Sequence, residues 1–143
     1  MYKGKYNHTI DAKGRLIIPS KFRDALGDEF VITMGMDGCL FAFDEQGWQT
    51  FEESLNAMPR NKKEIRNLAR FFLAGAADVE VDKQGRVLIP AELRDFAGLE
   101  KDVTLIGVAD RIEIWSKERW EAESSELGVE DTLEKLSDWG VSF

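Results

Sequence analysis

The chain has 143 residues, 43% of them hydrophobic, which is typical of one folded unit or of two small halves around a shared core. No apolar run approaches the roughly 20 residues of a membrane span, so we expect a cytoplasmic protein without a membrane partner. Cys39 is the only cysteine, which excludes an intramolecular disulfide and a cysteine-based metal cluster. It lies in an apolar stretch, which favours a buried side chain.

The net charge of −8 argues against nucleic acid as a partner, but the charge is unevenly distributed. Residues 1–23 contain six basic residues and one acidic residue, and residues 58–70 contain five basic residues and one acidic residue. Residues 117–143 contain three basic and eight acidic residues. Negative charge is therefore concentrated away from the start of the chain.

An internal repeat organises the sequence. "DAKGRLIIPSKFRDALG" (11–27) matches "DKQGRVLIPAELRDFAG" (82–98) with eight identical residues, and after one extra residue "ITMGMDGCLFAFDEQGW" (32–48) follows "TLIGVADRIEIWSKERW" (104–120). We therefore predict four segments: a first repeat (1–57), a linking helix (58–76), a second repeat (77–123) and an acidic C-terminal tail (124–143).

Both repeats predict the same opening elements. Apolar residues at 16–18 and 87–89 follow a Gly-Arg turn and precede a proline, which predicts two short strands. One or two helical turns follow, and Gly27 or Gly98 is placed to end them.

The rest of each repeat predicts a hairpin and a capped helix. Two β-rich runs around Asp37-Gly38 are a strong hairpin signal. Asp44 and Ser116 are placed to cap the helices that follow. Between the repeats, apolar residues from 65 to 73 keep helical spacing, which predicts a linking helix with its basic residues largely outside.

The repeated turn, residues 11–15 and 82–86, has the pattern Asp-x-x-x-Arg with glycine before the arginine. The aspartate accepts hydrogen bonds from the following amides, and the glycine adopts a positive φ without a clash. The arginine then either folds back on the aspartate and stiffens the turn, or projects outward as a planar donor for phosphate or a guanine edge. These residues alone leave both roles open, although Lys13 in the turn tip favours binding.

"HTIDAKGRLIIPSKFRDALG" together with "FFLAGAADVEVDKQGRVLIP" resembles the MraZ family of bacterial transcriptional regulators, and the resemblance extends to about Trp120. This family is related to the AbrB and MazE swapped-hairpin DNA-binding proteins. The resemblance implies a mainly β fold with short helices (α+β). Two AbrB-like swapped-hairpin halves would form an intramolecular pseudo-dimer of the double-split β-barrel type.

The resemblance also implies a function in transcription. Members of the family bind short G-rich direct repeats in their own promoter region, usually as repressors of the division and cell wall gene cluster. The implied partners are double-stranded DNA and further copies of the chain in a ring-shaped homo-oligomer, in the cytoplasm at the nucleoid. The candidate DNA-binding residues are the two signatures and their basic neighbours: Arg15, Lys13, Asp11, Lys3, Lys5, His8, Arg86, Lys83 and Asp82.

The two signatures lie in unequal electrostatic surroundings. Residues 7–24 contain four basic and two acidic residues, whereas residues 78–95 contain three basic and five acidic residues. Because phosphate contact depends on local charge, we expect the first signature to contribute more to DNA binding than the second.

An enzyme and a protein-interaction scaffold are the two alternatives to DNA binding. An enzyme is disfavoured, because His8 is the only histidine and no His/Cys metal spacing or phosphate-cradling loop occurs. We expect no catalytic site, no metal and no cofactor. A protein-interaction scaffold or antitoxin-like module of the same fold is the stronger alternative, and a gel shift with the upstream DNA separates it from a regulator.

Overall fold

Two similar series of strands and helices make up the computed structural model, which describes residues 1–142. The first repeat contains β1 (Tyr2–Thr9), β2 (Arg15–Ile17), α1 (Ser20–Leu26), β3 (Glu29–Met34), β4 (Leu40–Phe43) and α2 (Glu45–Asn56). After α3 (Lys63–Ala74), the second repeat contains β5 (Ala77–Glu80), β6 (Arg86–Leu88), α4 (Ala91–Ala97), β7 (Asp102–Ala109), β8 (Ile112–Ser116) and α5 (Lys117–Ser124). A short helix, α6 (Val129–Lys135), and a 3-10 turn (Leu136–Trp139) follow.

The two repeats exchange strands in one antiparallel six-stranded sheet of order β1-β7-β8-β4-β3-β5. The opening strand β1 pairs with β7 of the second repeat, and β5 pairs with β3 of the first. The strand order is unchanged when the repeats are exchanged, so the chain has pseudo-two-fold symmetry. This arrangement confirms the predicted α+β fold of two swapped halves. The sheet is open at β1 and β5, and the barrel description stays a prediction.

A separate two-stranded ribbon is formed by β2 and β6. Its inward residues, Leu16 and Val87, are buried together with Ile18 and Ile89, which follow them along the chain. These side chains belong to the main core, to which both repeats contribute. The ribbon is therefore held by the same apolar cluster that joins the two halves of the molecule.

A second, aromatic core lies on the opposite face of the six-stranded sheet. Leu40 and Ala42 of β4 belong to the main core, whereas Phe41 and Phe43 belong to the aromatic cluster, as expected when side chains alternate across a strand. Cys39 is buried in the aromatic cluster, which confirms its predicted packing role.

Local elements predicted from single residues are present. A β3–β4 hairpin forms around Asp37, whose φ is +66°, and Gly38. Asp44 caps α2 by accepting a hydrogen bond from the Gly47 amide at 2.7 Å. Ser116 caps α5 by accepting one from the Arg119 amide at 3.4 Å.

The linking helix α3 is also present, but its apolar face is covered only in part. Ala69 and Phe72 are buried, whereas Leu68, Phe71 and Leu73 remain 36–37% exposed. The helix contacts the sheet mainly at β3, so only a narrow line of its surface is covered.

Within residues 1–142, no helix is long and apolar enough to cross a membrane. In the same part of the chain, no group of three or more His, Cys, Asp or Glu side chains is arranged to hold a metal ion.

Candidate nucleic-acid interface

The first signature folds into a closed turn around the Asp11 carboxylate. Oδ1 accepts hydrogen bonds from the backbone amides of Lys13 at 3.0 Å and Arg15 at 2.9 Å. Oδ2 accepts a third bond from the Arg15 Nε at 2.7 Å. Gly14, with φ of +89°, donates its amide to the Asp11 carbonyl oxygen. The aspartate therefore orients both the turn and the arginine.

The second signature has the same geometry. Asp82 Oδ1 accepts from the amides of Gln84 at 2.8 Å and Arg86 at 2.9 Å, and Oδ2 accepts from the Arg86 Nε at 3.0 Å. Gly85 has φ of +78°. The two sequence copies thus specify two equivalent turns, one at each end of the β2–β6 ribbon.

The ribbon brings the two signature arginines together on one surface. Arg15 pairs with Leu88, and Ile17 pairs with Arg86. Arg15 and Arg86 are therefore diagonal neighbours across an antiparallel pair, which places their backbones about 7–8 Å apart. Their side chains share the outer face, because Leu16 and Val87 between them point into the core.

This outer surface, which we call the ribbon face, is defined by Arg15, Ile17, Arg86 and Leu88. The two apolar members are unusually open, with Ile17 42% and Leu88 58% exposed. Each lies directly opposite a signature arginine. The ribbon face therefore combines two cationic groups with two uncovered apolar groups.

The two roles left open for the arginines coexist in this geometry. Both Asp–Arg pairs form, so the turns are stiffened as one interpretation requires. Each pair uses the Nε of its arginine, and within residues 1–142 the Nη1 and Nη2 groups of Arg15 and Arg86 make no hydrogen bond. The side chains remain 35% and 26% exposed, respectively. The outer donors are left to bind a ligand on the ribbon face.

Hydrogen bonding within each turn keeps the aspartates ionised. The Arg15 amide is the main cause that lowers the pKa of Asp11, and the guanidinium and the Lys13 amide act in the same direction. The Arg86 amide likewise lowers the pKa of Asp82. Each pair therefore keeps its negative partner at neutral pH, which offsets part of the arginine charge facing the ribbon.

Each turn is also covered by an arginine from the other repeat. The Arg94 guanidinium of α4 lies over Gly14, where an added β-carbon would come within 2.7 Å of its Cζ. The Arg94 Nε donates to the Ile89 carbonyl oxygen at 3.0 Å. In the symmetrical position, the Arg23 guanidinium of α1 lies over Gly85, and its Nε is buried.

The structure places the other predicted residues at different distances from the ribbon. Lys13 and Lys83 are exposed in the turns themselves. His8 is partly exposed near the end of β1 that leads into the first turn. Lys5 and Lys3 lie farther back along β1, and Lys3 pairs with Val108 at the opposite end of the strand. At about 3.3 Å per residue, this places Lys3 roughly 26 Å from the start of the turn at Asp11, so the structure does not bring it to the signatures.

Sequence reasoning did not assign a site role to Arg23, Arg94, Ile17 or Leu88. The sequence does show that Arg23 and Arg94 occupy matched positions of the two repeats. For the two apolar residues the sequence predicts only their place in short strands. Strict alternation on β2 and β6 distinguishes them from their buried neighbours.

These features define a class of protein: a single-chain pseudo-dimer of swapped β halves that presents two Asp–Arg turns on one ribbon. A family model described as "MraZ protein, putative antitoxin-like" matches residues 1–71 and again residues 72–138. Together the two matches cover nearly the whole chain. The chain belongs to the MraZ family.

Several relatives are similar over their full length. The chain is 57% identical over 143 residues to a transcriptional regulator MraZ of Lachnoclostridium phytofermentans, covering 100% of both chains. It is 51% identical to the transcriptional regulator MraZ of Acetivibrio thermocellus and 49% identical to that of Ligilactobacillus salivarius, covering 99% of this chain and 100% of each relative.

Proposed function

We propose that this chain is a sequence-specific DNA-binding transcriptional regulator, without enzymatic activity, that acts in the cytoplasm at the nucleoid. The observation that carries the proposal is the pair of signature arginines, Arg15 and Arg86, held side by side with their outer donors unengaged. The relatives named as transcriptional regulators support the same role.

The dimensions of the ribbon suit the DNA major groove. The first turn lies beside Ile89, and the second lies beside Ile18, as the amide-to-carbonyl bonds Ile89–Gly14 and Ile18–Gly85 indicate. Four residue steps separate Gly14 from Ile18, so the two turns lie about 13 Å apart. The major groove is about 12 Å wide and admits a two-stranded ribbon.

The side chains suit the groove as well. A planar guanidinium binds the O6 and N7 acceptors of guanine, which fits a G-rich operator. Ile17 and Leu88 supply apolar contacts to thymine methyl groups or sugars beside those guanines. Lys13 and Lys83, at the exposed turn tips, contact the flanking phosphates.

We further propose that the chain binds direct repeats in its own promoter region as a ring-shaped homo-oligomer and represses the division and cell wall gene cluster. One ribbon face covers less than the roughly 1,000 Å² of a specific DNA interface, so several subunits must bind together. Repeats spaced about 10 bp apart would present the same face of the duplex to neighbouring subunits.

A gel shift with the promoter region of the protein's own operon tests the proposal. We expect binding whose affinity falls with salt, with a logarithmic slope of about −0.9 per neutralised phosphate. Inserting half a helical turn between repeats is the matched control and should weaken binding sharply. No shift at low salt would instead favour a protein-interaction scaffold. A salt-independent shift would contradict the proposed phosphate contacts.

A further inference from the structure

The C-terminal tail has an apolar face that the rest of residues 1–142 leaves largely exposed. Helix α6 and the 3-10 turn after it carry Val129, Leu133, Leu136 and Trp139 at a spacing that places the first three on one side of a helix. Val129, Leu133 and Trp139 are 56%, 46% and 61% exposed. So short a helix is marginal in water by itself, which means that its apolar side requires a partner surface.

The polar side of the tail is strongly acidic. Its described part, residues 124–142, contains five acidic residues and one basic residue. Within residues 1–142, none of these acidic side chains forms an ion pair. A partner for the tail should therefore be basic as well as apolar.

A surface of that chemistry occurs on the linking helix. We define the linker patch by Leu73, which is 37% exposed, and by Lys63, Arg66 and Arg70, which lie on the same side of the helix as Leu73. Among residues 1–142 these basic side chains also form no ion pair. Arg66 donates to the Arg60 carbonyl oxygen, and Arg70 donates to the Asn67 side chain, so both keep an uncompensated charge.

We propose that the tail of one copy docks on the linker patch of a second copy. The two surfaces are complementary in charge, and both present exposed apolar side chains, which are Leu73 on the linker patch and Val129 and Leu133 on the tail. The tail is the occupant rather than any other segment because it is the part of the described chain that is both acidic and apolar on its surface.

The contact is compatible with a ring. The donor surface (the tail) and the acceptor surface (the linker patch) are different parts of the chain, so the contact is heterologous, and it forms a ring where the rotation between successive copies closes. This inference rests on the homo-oligomer of the proposed function and identifies the contact that would hold it together.

Charge reversal in the full-length chain tests the contact. Arg66→Glu with Arg70→Glu changes the charge of Lys63, Arg66 and Arg70 together from +3 to −1, and Glu130→Arg with Glu134→Arg changes the charge of residues 124–142 from −4 to 0. We expect each pair to raise the concentration needed for assembly about tenfold or more, measured by native mass spectrometry, because the charge attraction between the two surfaces is removed. Combining all four changes should restore part of the assembly, because the introduced glutamates and arginines again have opposite charge. Glu52→Arg with Glu53→Arg on α2 is the matched charge control and should change nothing.

Cysteine cross-linking identifies which copy is contacted. Cys39 is buried, so Leu73→Cys and Leu133→Cys add single reactive thiols on the two surfaces. Mixing the two variants under oxidation should give a covalent dimer of one chain of each kind. A chain that carries both changes and links only within itself would overturn the proposal, as would tail reversal that leaves the mass unchanged.

The same experiments separate this contact from the proposed function. Linker reversal that weakens DNA binding but leaves assembly intact would overturn the docking and identify the patch as a DNA surface. A wild-type chain that assembles, cross-links as expected and yet does not bind its promoter region would support the docking and refute the regulator.

Discussion

The Arg23 guanidinium of the first repeat lies directly over Gly85 of the second, and Arg94 lies over Gly14 in the equivalent position. Each signature turn is therefore supported by a residue about 60 to 80 positions away in the chain. Only glycine leaves room for this contact, because a β-carbon at either position would overlap the guanidinium. Each turn is thus held both by its own Asp–Arg pair and by an arginine of the other repeat.

The first prediction concerns the contacts of Arg23 and Arg94 with the turn of the other repeat. If the first signature dominates DNA binding, Arg94→Ala should weaken binding more than Arg23→Ala, even though Arg94 lies in the more acidic repeat. Loss of the Arg94 bond to the Ile89 carbonyl oxygen should also cost about 1 kcal/mol of stability. Hydrogen exchange should increase at residues 11–15 in the Arg94 variant and at 82–86 in the Arg23 variant. Each variant is the control for the other, and loosening of both turns in both variants would contradict the assignment.

A second prediction compares the signature arginines. Arg15→Ala should cost about 1–3 kcal/mol of binding per engaged subunit and reduce the preference for guanine. Because several subunits bind together, the loss for the whole assembly should multiply. Arg86→Ala should reduce binding less and affect melting or assembly more. Quantitative binding, thermal melting and native mass measured on both variants decide the matter.

The charge difference between the repeats predicts that Arg15 contributes more to DNA binding than Arg86, but the ribbon geometry limits the size of this difference. Because Arg15 and Arg86 are diagonal neighbours, each lies within the field of the other. An Arg86 variant that loses DNA as completely as the Arg15 variant, while fold and assembly are intact, would show that the ribbon face acts as one unit.

The third prediction concerns Lys13, whose loss should affect DNA binding in a different way from the loss of an arginine. Its side chain is exposed at the turn tip, and only its backbone amide takes part in the turn. Lys13→Ala should therefore weaken binding to all sequences alike and reduce the salt slope by about one phosphate contact, without lowering the melting temperature. Lys3→Ala is the matched control, because β1 carries Lys3 away from the turns. Equal losses from both variants would place the phosphates along β1.

The glycines of the signatures give a fourth prediction. Gly14 and Gly85 have φ of +89° and +78°, a region that costs an L-residue roughly 1–2 kcal/mol. Gly14→Ala and Gly85→Ala should each lower the free energy of unfolding by about that amount. The first change should also displace the Arg94 guanidinium and the second the Arg23 guanidinium. Gly140→Ala is a useful control, since its φ is also positive but nothing lies within 4 Å of the added carbon. An unchanged melting temperature in the Gly14 variant would contradict the turn geometry.

Local chemistry made much of the molecule predictable from the sequence. Asp-x-x-x-Arg specifies its turn through hydrogen bonds within five residues, and Asp44 specifies the start of α2 in the same way. The strand exchange followed only from a family resemblance, because β1 pairs with residues about 100 positions away and periodicity carries no information about such partners.

The parts of the site that sequence reasoning missed depend on long-range contacts. Nothing near Arg23 in the sequence indicates that it covers Gly85. Proximity in sequence also differs from proximity in space: Lys3 and Lys5 precede the first turn closely in the sequence, but in an extended strand each successive residue lies about 3.3 Å farther from it. The exposure of Leu68 on α3 depends on how narrowly that helix contacts the sheet, which helical spacing cannot express.

The last prediction concerns two carboxylates that face each other at one edge of the sheet. Glu29 of β3 pairs directly with Glu80 of β5. Hydrogen bonding and repulsion from Glu80, followed by desolvation and nearby aspartates, raise the pKa of Glu29. A carboxyl whose pKa is raised on folding favours the folded state when protonated, so this pair lowers stability at neutral pH and ceases to do so as the pH falls through the raised pKa.

Glu80→Gln should therefore raise the melting temperature at pH 7, and the difference from wild type should disappear toward pH 4. The pseudo-symmetrical pair, Thr9 and Asp102, provides the control. Asp102→Asn removes a carboxylate that has no acidic residue opposite it in the strand pair, and it should give no such gain in melting temperature.

The signature aspartates, Asp11 and Asp82, should affect stability in the opposite direction, because their pKa is lowered on folding. Their stabilisation is present at neutral pH and is lost as the pH falls below about 4, so Asp82→Asn should destabilise at pH 7. Thermal melting of the three variants from pH 3 to pH 8 measures all of these effects, and a Glu80→Gln curve that runs parallel to wild type across that range would refute the repulsion.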